Sequence, residues 1–136
     1  MQVTTLERVI RWHVSGFERL YRQKLPACSR VRGCIVDSTC SIIDLQGFRA
    51  ANFTSDVRKV LRTIAQIDSD NYPESLGKML IINAPVTFVS VWAIIKGFID
   101  HHTRTKVEVM GHNYLRRVLE IVPEENFPVY LGAKAA

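Results

Sequence analysis

The sequence contains no apolar run long enough to span a bilayer. Its opening, Met1-Gln2-Val3, leads into a charged helical pattern, not into the apolar stretch and cleavage site of a secretory leader. A soluble cytoplasmic chain, or one peripheral to a membrane, is therefore expected. Cysteine is scarce. Cys28, Cys34 and Cys40 follow a C-x5-C-x5-C spacing that matches no zinc pattern, so free buried thiols are expected and no metal site. His101 and His102 stand beside Asp100, which invites a metal or acid–base site, but adjacent residues rarely face one site and no third ligand is suitably spaced. There is no G-x-S-x-G elbow, no phosphate-binding loop and no Gly-rich dinucleotide turn. Gly111-His112-Asn113 after "VEVM" offers a single glycine. The expectation is a protein that is not an enzyme and has no cofactor.

What is present is a 136-residue chain that is 47% hydrophobic and 23% charged, which suits one globular domain over residues 1–136. The net charge of +5 favours an anionic partner. The basic residues are scattered from Arg8 to Arg117 and no nucleic-acid motif accompanies them, so no nucleic acid is expected.

The pattern of elements alternates. Thr4-x-x-Glu7 reads as a capping box ahead of Leu6, Val9, Ile10, His13, Phe17, Leu20 and Tyr21, predicting a helix over about 4–23 that Pro26 stops. A strand follows Gly33 and closes at Gly47. A second helix starts behind Thr54-Ser55-Asp56, "DSDNYPE" forms a loop, and "GKMLIINAP" forms a central strand. A helix over 86–99, a strand "KVEVMG", a helix "NYLRRVLEIVP" and an extended tail complete the chain. Strands alternating with helices predict an α/β fold with a mostly parallel sheet flanked by helices. Three strands are few for such a sheet and suggest an incomplete domain.

Two features ask for a cause. Residues 86–99 are apolar around nearly the whole helical circumference, interrupted by Thr87, Ser90 and Lys96. Such a helix is covered on every side or faces lipid, and at 1.5 Å per residue it is about 21 Å long, too short to cross a bilayer. Second, Ser38-Thr39-Cys40-Ser41 interrupts a strand that otherwise reads as buried. Alternation puts Thr39, Ser41, Ile43 and Leu45 on one face and Cys40 and Ile42 on the other. Two hydroxyls followed by two aliphatics suit a cavity for a polar head and an apolar tail; bonding to neighbouring backbone is the alternative.

The segments "LPACSR…CIVDSTCSIIDLQG", "NYPESLGKMLIINAP", the Trp-bearing helix ending "IKGFID", and "TRTKVEVMG…YLRRVLEIVPEENFPVYLGAK" resemble the CRAL-TRIO lipid-binding domain. Within that family the chain is similar to the fungal phosphatidylinositol/phosphatidylcholine transfer proteins. The resemblance implies a mixed sheet flanked by helices around one bound phospholipid, which is exchanged between membranes. It implies headgroup roles for Thr39 and Ser41 toward phosphocholine, and for Glu74, Thr103 and Lys106 toward inositol. It makes residues 86–99 a gate helix, with Phe88, Val91, Trp92, Ile95 and Phe98 along the acyl chains. Phe17, on the cavity wall, stands where phosphatidylcholine-binding members have a tyrosine, so phosphatidylinositol is the first expected ligand and phosphatidylcholine the second. Gly97 and His101 stand where the family has prolines, which loosens the exit from the gate helix. The family's amino-terminal helical lobe and first strands have no counterpart in the sequence. The implied partners are phospholipid and, transiently, anionic membrane surfaces, at Golgi, endosomal or other internal membranes. A monomer is expected if the domain is complete. The rival reading is a truncated interaction or membrane-association module without a closed cavity, associating through an exposed sheet edge.

Overall fold

The computed structural model describes residues 4–132. Its centre is a three-stranded sheet in the order β1-β2-β3, formed by β1 (Thr39–Asp44), β2 (Leu76–Ile82) and β3 (Val107–Val109). Both described pairings are parallel, in keeping with the mostly parallel sheet expected from the sequence. Parallel neighbours need crossover connections. The helix α3 (Ser55–Asn71) carries the chain from β1 to β2. The helices α4 (Phe88–Lys96) and α5 (His101–Thr105) carry it from β2 to β3. A last helix, α6 (Leu115–Leu119), is followed by 3-10 turns at Glu124–Asn126 and Val129–Leu131, where the sequence predicts an extended tail.

The two faces of the sheet have separate cores. Ile42, Leu80 and Ile82 pack against Val118 of α6 and Phe127. Met79, Ile81 and Val107 pack against Phe88, Val91, Trp92 and Ile95 of α4. Leu80, Ile82 and Val118 are fully buried. Register places Ser41 beside Met79 and Ile43 beside Ile81, so both lie on the face that α4 covers. That agrees with the alternation read from the sequence.

The amino-terminal helix is longer than predicted. The N-cap is Thr5, whose hydroxyl accepts from the Arg8 N–H at 3.3 Å, in place of the predicted Thr4 capping box. Pro26 does not stop the helix. The chain runs through α1 (Leu6–Arg19), a π-helical turn (Leu20–Lys24) and α2 (Leu25–Arg32) before Gly33 ends it at φ 73°. A proline inside a regular helix strikes the carbonyl four residues back. Here the turn ahead of Pro26 is widened, and the Leu25 N–H reaches back five residues to the Leu20 carbonyl. The extra residue also sets the angular register back by roughly 100°, so that Leu25 turns inward and is buried. The arm packs on α3 through Phe17 stacked on Tyr72 at 4.8 Å and His13 Nε2 placed 2.6 Å from Asp68 Oδ1.

The three cysteines are free and exposed, not buried as the sequence suggested. Cys28 and Cys34 fall at the exposed end of the arm, and Cys40 falls on a strand whose outer side has no described neighbour.

An ionic cluster joins β2, β3 and α6. Glu108 takes two hydrogen bonds from Arg117 at 2.8 and 2.9 Å and one ion pair from Lys78 at 2.5 Å. These donors hold its carboxyl at about 2, well below the ordinary carboxylate range. The stabilisation is therefore present above that ordinary range and is lost as the pH falls toward 2. The melting temperature is expected to fall between roughly pH 4.5 and 2, and to do so less steeply in Glu108→Gln, with most of the difference between the two proteins gone at the acid end. A thermal-unfolding series in pH checks this; parallel curves would show that the cluster does not contribute.

Candidate functional site

Because all three strands run the same way, their starts share one edge of the sheet. Thr39 opens β1, the Tyr72-Pro73-Glu74-Ser75 loop leads into β2, and Lys106 immediately precedes β3. The parallel sheet thus gathers residues separated by up to 67 positions, Thr39 to Lys106, along one rim. Ligands of open parallel sheets usually sit at the opposite, carboxyl ends of the strands.

Glu74 is the centre of this rim. Its carboxylate Oε2 lies 3.3 Å from His102 Nε2 and 3.4 Å from Lys106 Nζ. The His102 hydrogen bond and the Lys106 charge hold the Glu74 carboxyl below its usual range, so it is ionised at neutral pH. Glu74 is exposed, whereas the Lys106 ammonium is largely covered. Glu74 also has φ 62°, a left-handed conformation that a residue with a Cβ seldom adopts. Thr103 sits between His102 and Lys106 in sequence, but its hydroxyl donates to Asp100 Oδ2 as part of the α5 N-cap. Of the three residues expected for an inositol group, Glu74 and Lys106 touch, and Thr103 is held by its own helix.

The two strand hydroxyls have different fates. Thr39 Oγ1 donates to the Ser75 carbonyl at 3.1 Å, which ties β1 to the Glu74 loop. Ser41 is half-buried on the α4 face, and its hydroxyl has no partner among the described hydrogen bonds. Gly77 allows the close approach at this point. A Cβ there would stand 2.9 Å from Ser38 Oγ and 3.1 Å from the Thr39 carbonyl oxygen.

The helix predicted over 86–99 is shorter. Phe88–Lys96 are helical, Gly97 N–H donates to the Ile94 carbonyl at 3.0 Å, and the chain then extends at Asp100 to cap α5. That cap ends the helix early, since its residue must leave helical dihedrals to accept the Thr103 N–H. Phe88 and Val91 are buried on the sheet; Trp92, Ile95 and Phe98 are half-buried, with Arg62 of α3 over the Phe98 ring at 5.6 Å. The outer side keeps apolar groups beside the exposed Ser90 and Lys96: Val89 is 71% exposed and Ile94 is also exposed, and Val86, in the turn ahead of α4, is 90% exposed. A groove of about 380 Å³ runs between the start of α4 and the end of β3, lined by Pro85, Val89, Trp92, Val109 and Met110 among others. A second, of about 470 Å³, lies between α1 and α3. Neither is lined by Thr39, Ser41, Glu74, Thr103 or Lys106, nor by Phe17, which is seated in the α1–α3 seam against Tyr72. In this arrangement α4 lies closed on the sheet.

His102 joins this rim, whereas the sequence suggests it only as a metal or acid–base group beside Asp100. Its spacing of four from Lys106 on one short helix was the available signal. Among the described residues no group of three or more His, Cys, Asp or Glu could hold a metal ion.

An open parallel sheet with an apolar helix closed over one face and a charged rim beneath that helix's end defines an α/β domain. The profile of the CRAL/TRIO domain matches residues 2–132, and the chain belongs to that family. It is 40% identical over 132 residues to the phosphatidylinositol/phosphatidylcholine transfer protein SFH12 of Arabidopsis thaliana, covering 97% of this chain and 24% of that protein. It is 40% identical over 131 residues to the Sec14 cytosolic factor of Schizosaccharomyces pombe, covering 96% and 46%. The crystal structure of Sfh5 is similar with a TM-score of 0.52 at 30% identity, over 54% of this chain and 26% of that one. The chain thus spans between about a quarter and just under half of the relatives it matches here.

Gly77→Ala is expected to destabilise the chain by about 1–3 kcal/mol, because a strand carbonyl cannot step aside as a flexible side chain would. Urea unfolding measures this, and an unchanged midpoint would show that the β1–β2 entry has room.

Proposed function

We propose that the chain binds one phospholipid and exchanges it between membranes, with phosphatidylinositol as the first ligand and phosphatidylcholine as the second. The observation that carries this reading is the meeting of Thr39, Glu74 and Lys106 on one rim, at the end of the sheet where α4 leads into α5. An ionised carboxylate beside an ammonium suits a polyol phosphate: Glu74 accepts from ring hydroxyls, and Lys106 with His102 meets the phosphate. Ser41, whose hydroxyl has no described partner, adds a donor deeper on the same face for the phosphate of a choline lipid. The acyl chains would run between the sheet and α4, against Phe88, Val91, Trp92, Ile95 and Phe98. For that, α4 must swing away from its closed position, turning about Gly97. Its outer residues Val89 and Ile94, with Val86 in the turn ahead of it, would then meet the bilayer. No bond is made or broken, so the function is binding and transfer and not catalysis. Among the described residues no helix is long and apolar enough to cross a membrane, which suits a transient, peripheral encounter with internal membranes.

Transfer of each lipid between donor and acceptor vesicles tests the roles. Thr39→Val combined with Ser41→Ala is expected to lower phosphatidylcholine transfer at least about tenfold more than phosphatidylinositol transfer, the size of a lost hydrogen bond to a charged group. Lys106→Ala is expected to do the reverse. Equal loss of both lipids in either variant, with unchanged circular dichroism, would contradict the division of roles.

A further inference from the structure

The positive charge of this chain is not spread evenly over the fold. The segment from Leu6 to Arg32 holds seven basic and two acidic side chains, while the rest of the sequence balances at eleven of each. The whole net charge of +5 therefore resides in the α1–α2 arm, although the sequence read residue by residue looks scattered. Arg11 pairs with Glu7 at 2.6 Å and Arg22 with Glu18 at 3.0 Å. Arg8, Arg19, Lys24, Arg30 and Arg32 are exposed and have no acidic partner among the described residues.

Large apolar side chains stand among these charges. Trp12 is 78%, Val31 91% and Ile35 85% exposed. At 100° per residue Arg8, Trp12 and Arg19 share the side of α1 that faces away from α3. An unbroken α-helix would leave Val31 roughly 100° round from Trp12, onto the side of His13, which packs inward. The π turn sets it back by about 100°, onto the side of Trp12. One device thus passes Pro26, buries Leu25 and turns Val31 outward. Trp12 and Val31, 19 residues apart on the arm, stand about 28 Å apart along one outward stripe.

We propose that this outward stripe is a docking surface for anionic bilayers, separate from α4. Unpaired arginines and a lysine attract acidic headgroups, and Trp12, Val31 and Ile35 enter the interfacial layer, where tryptophan is at home. Exposed aromatic and aliphatic groups between the cations favour lipid over nucleic acid or an acidic protein, which would take the charges alone. Ile35 precedes β1, so the stripe ends at the same edge of the sheet as Glu74 and Lys106.

Co-sedimentation with phosphatidylcholine vesicles, with and without phosphatidylserine, tests this on the intact chain. Binding is expected to require phosphatidylserine and to weaken with salt. At roughly fivefold per cation, Arg8→Gln with Arg19→Gln and Arg30→Gln is expected to weaken it about a hundredfold. Trp12→Ala with Val31→Ala is expected to weaken it severalfold while circular dichroism is unchanged. Docking is read apart from exchange, so these outcomes stand whether or not the chain carries a lipid. Full binding by the arginine variant, or loss of binding in Val89→Asp of α4 alone, would overturn the proposal. So would binding to heparin or single-stranded RNA that survives Trp12→Ala with Val31→Ala and exceeds binding to acidic vesicles.

Discussion

The register of β2 between its two parallel neighbours is the constraint on which the other assignments depend. Leu80 and Ile82 point into the core beneath α6, and Ile81 points into the core beneath α4. A slip of one residue would exchange these faces. It would also break the pairing of Ser41 with Met79 and of Ile43 with Ile81 that aligns these residues beneath α4. Parallel pairing has a second consequence. It places every strand start on one rim, which is why Thr39, Glu74 and Lys106 share that rim without any being near another in sequence. The rim is then fixed by local bonds: Thr39 to the Ser75 carbonyl, Met79 N–H to the Lys106 carbonyl, and Glu74 to Lys106 itself.

α4 is in tension with the rest of the fold. Its inner side is well packed, yet its outer side keeps Val89 and Ile94 in water, and Val86 stands exposed in the turn ahead of it. A helix at the outside of an α/β sheet normally carries polar groups there. The cost of that exposure is tolerated if the outer side has another environment for part of its cycle. Glu74 shows the same pattern on a smaller scale: an ionised side chain held on a left-handed backbone, at the place where function is proposed.

Much of this was legible in the sequence because period-2 and period-3.6 patterns depend on burial, and burial is what the fold satisfies. The strands around Ile42, Leu80 and Val107, the alternation of Ser41 against Ile42, and the all-round apolar helix could each be read directly. What could not be read depends on geometry that composition does not encode. Pro26 announces a helix end, but a single π turn lets the helix pass it. Asp100 directly follows the helix expected over 86–99, and nothing in the pattern marks it as the cap that starts α5 and so ends α4 at Lys96. Three cysteines near apolar residues suggest burial, yet they fall on a helix end, a connecting loop and an edge strand. His102 meets Glu74 only because β2 and β3 begin at the same rim, a fact of topology.

Native mass spectrometry of the chain after incubation with phosphatidylinositol-containing vesicles tests the central claim most directly. One phospholipid per folded chain is the predicted result: it requires α4 to leave the sheet and the rim to accept a headgroup. A folded chain that remains free of lipid would contradict the account and favour an interaction module that presents α4 and the open sheet edge to a partner.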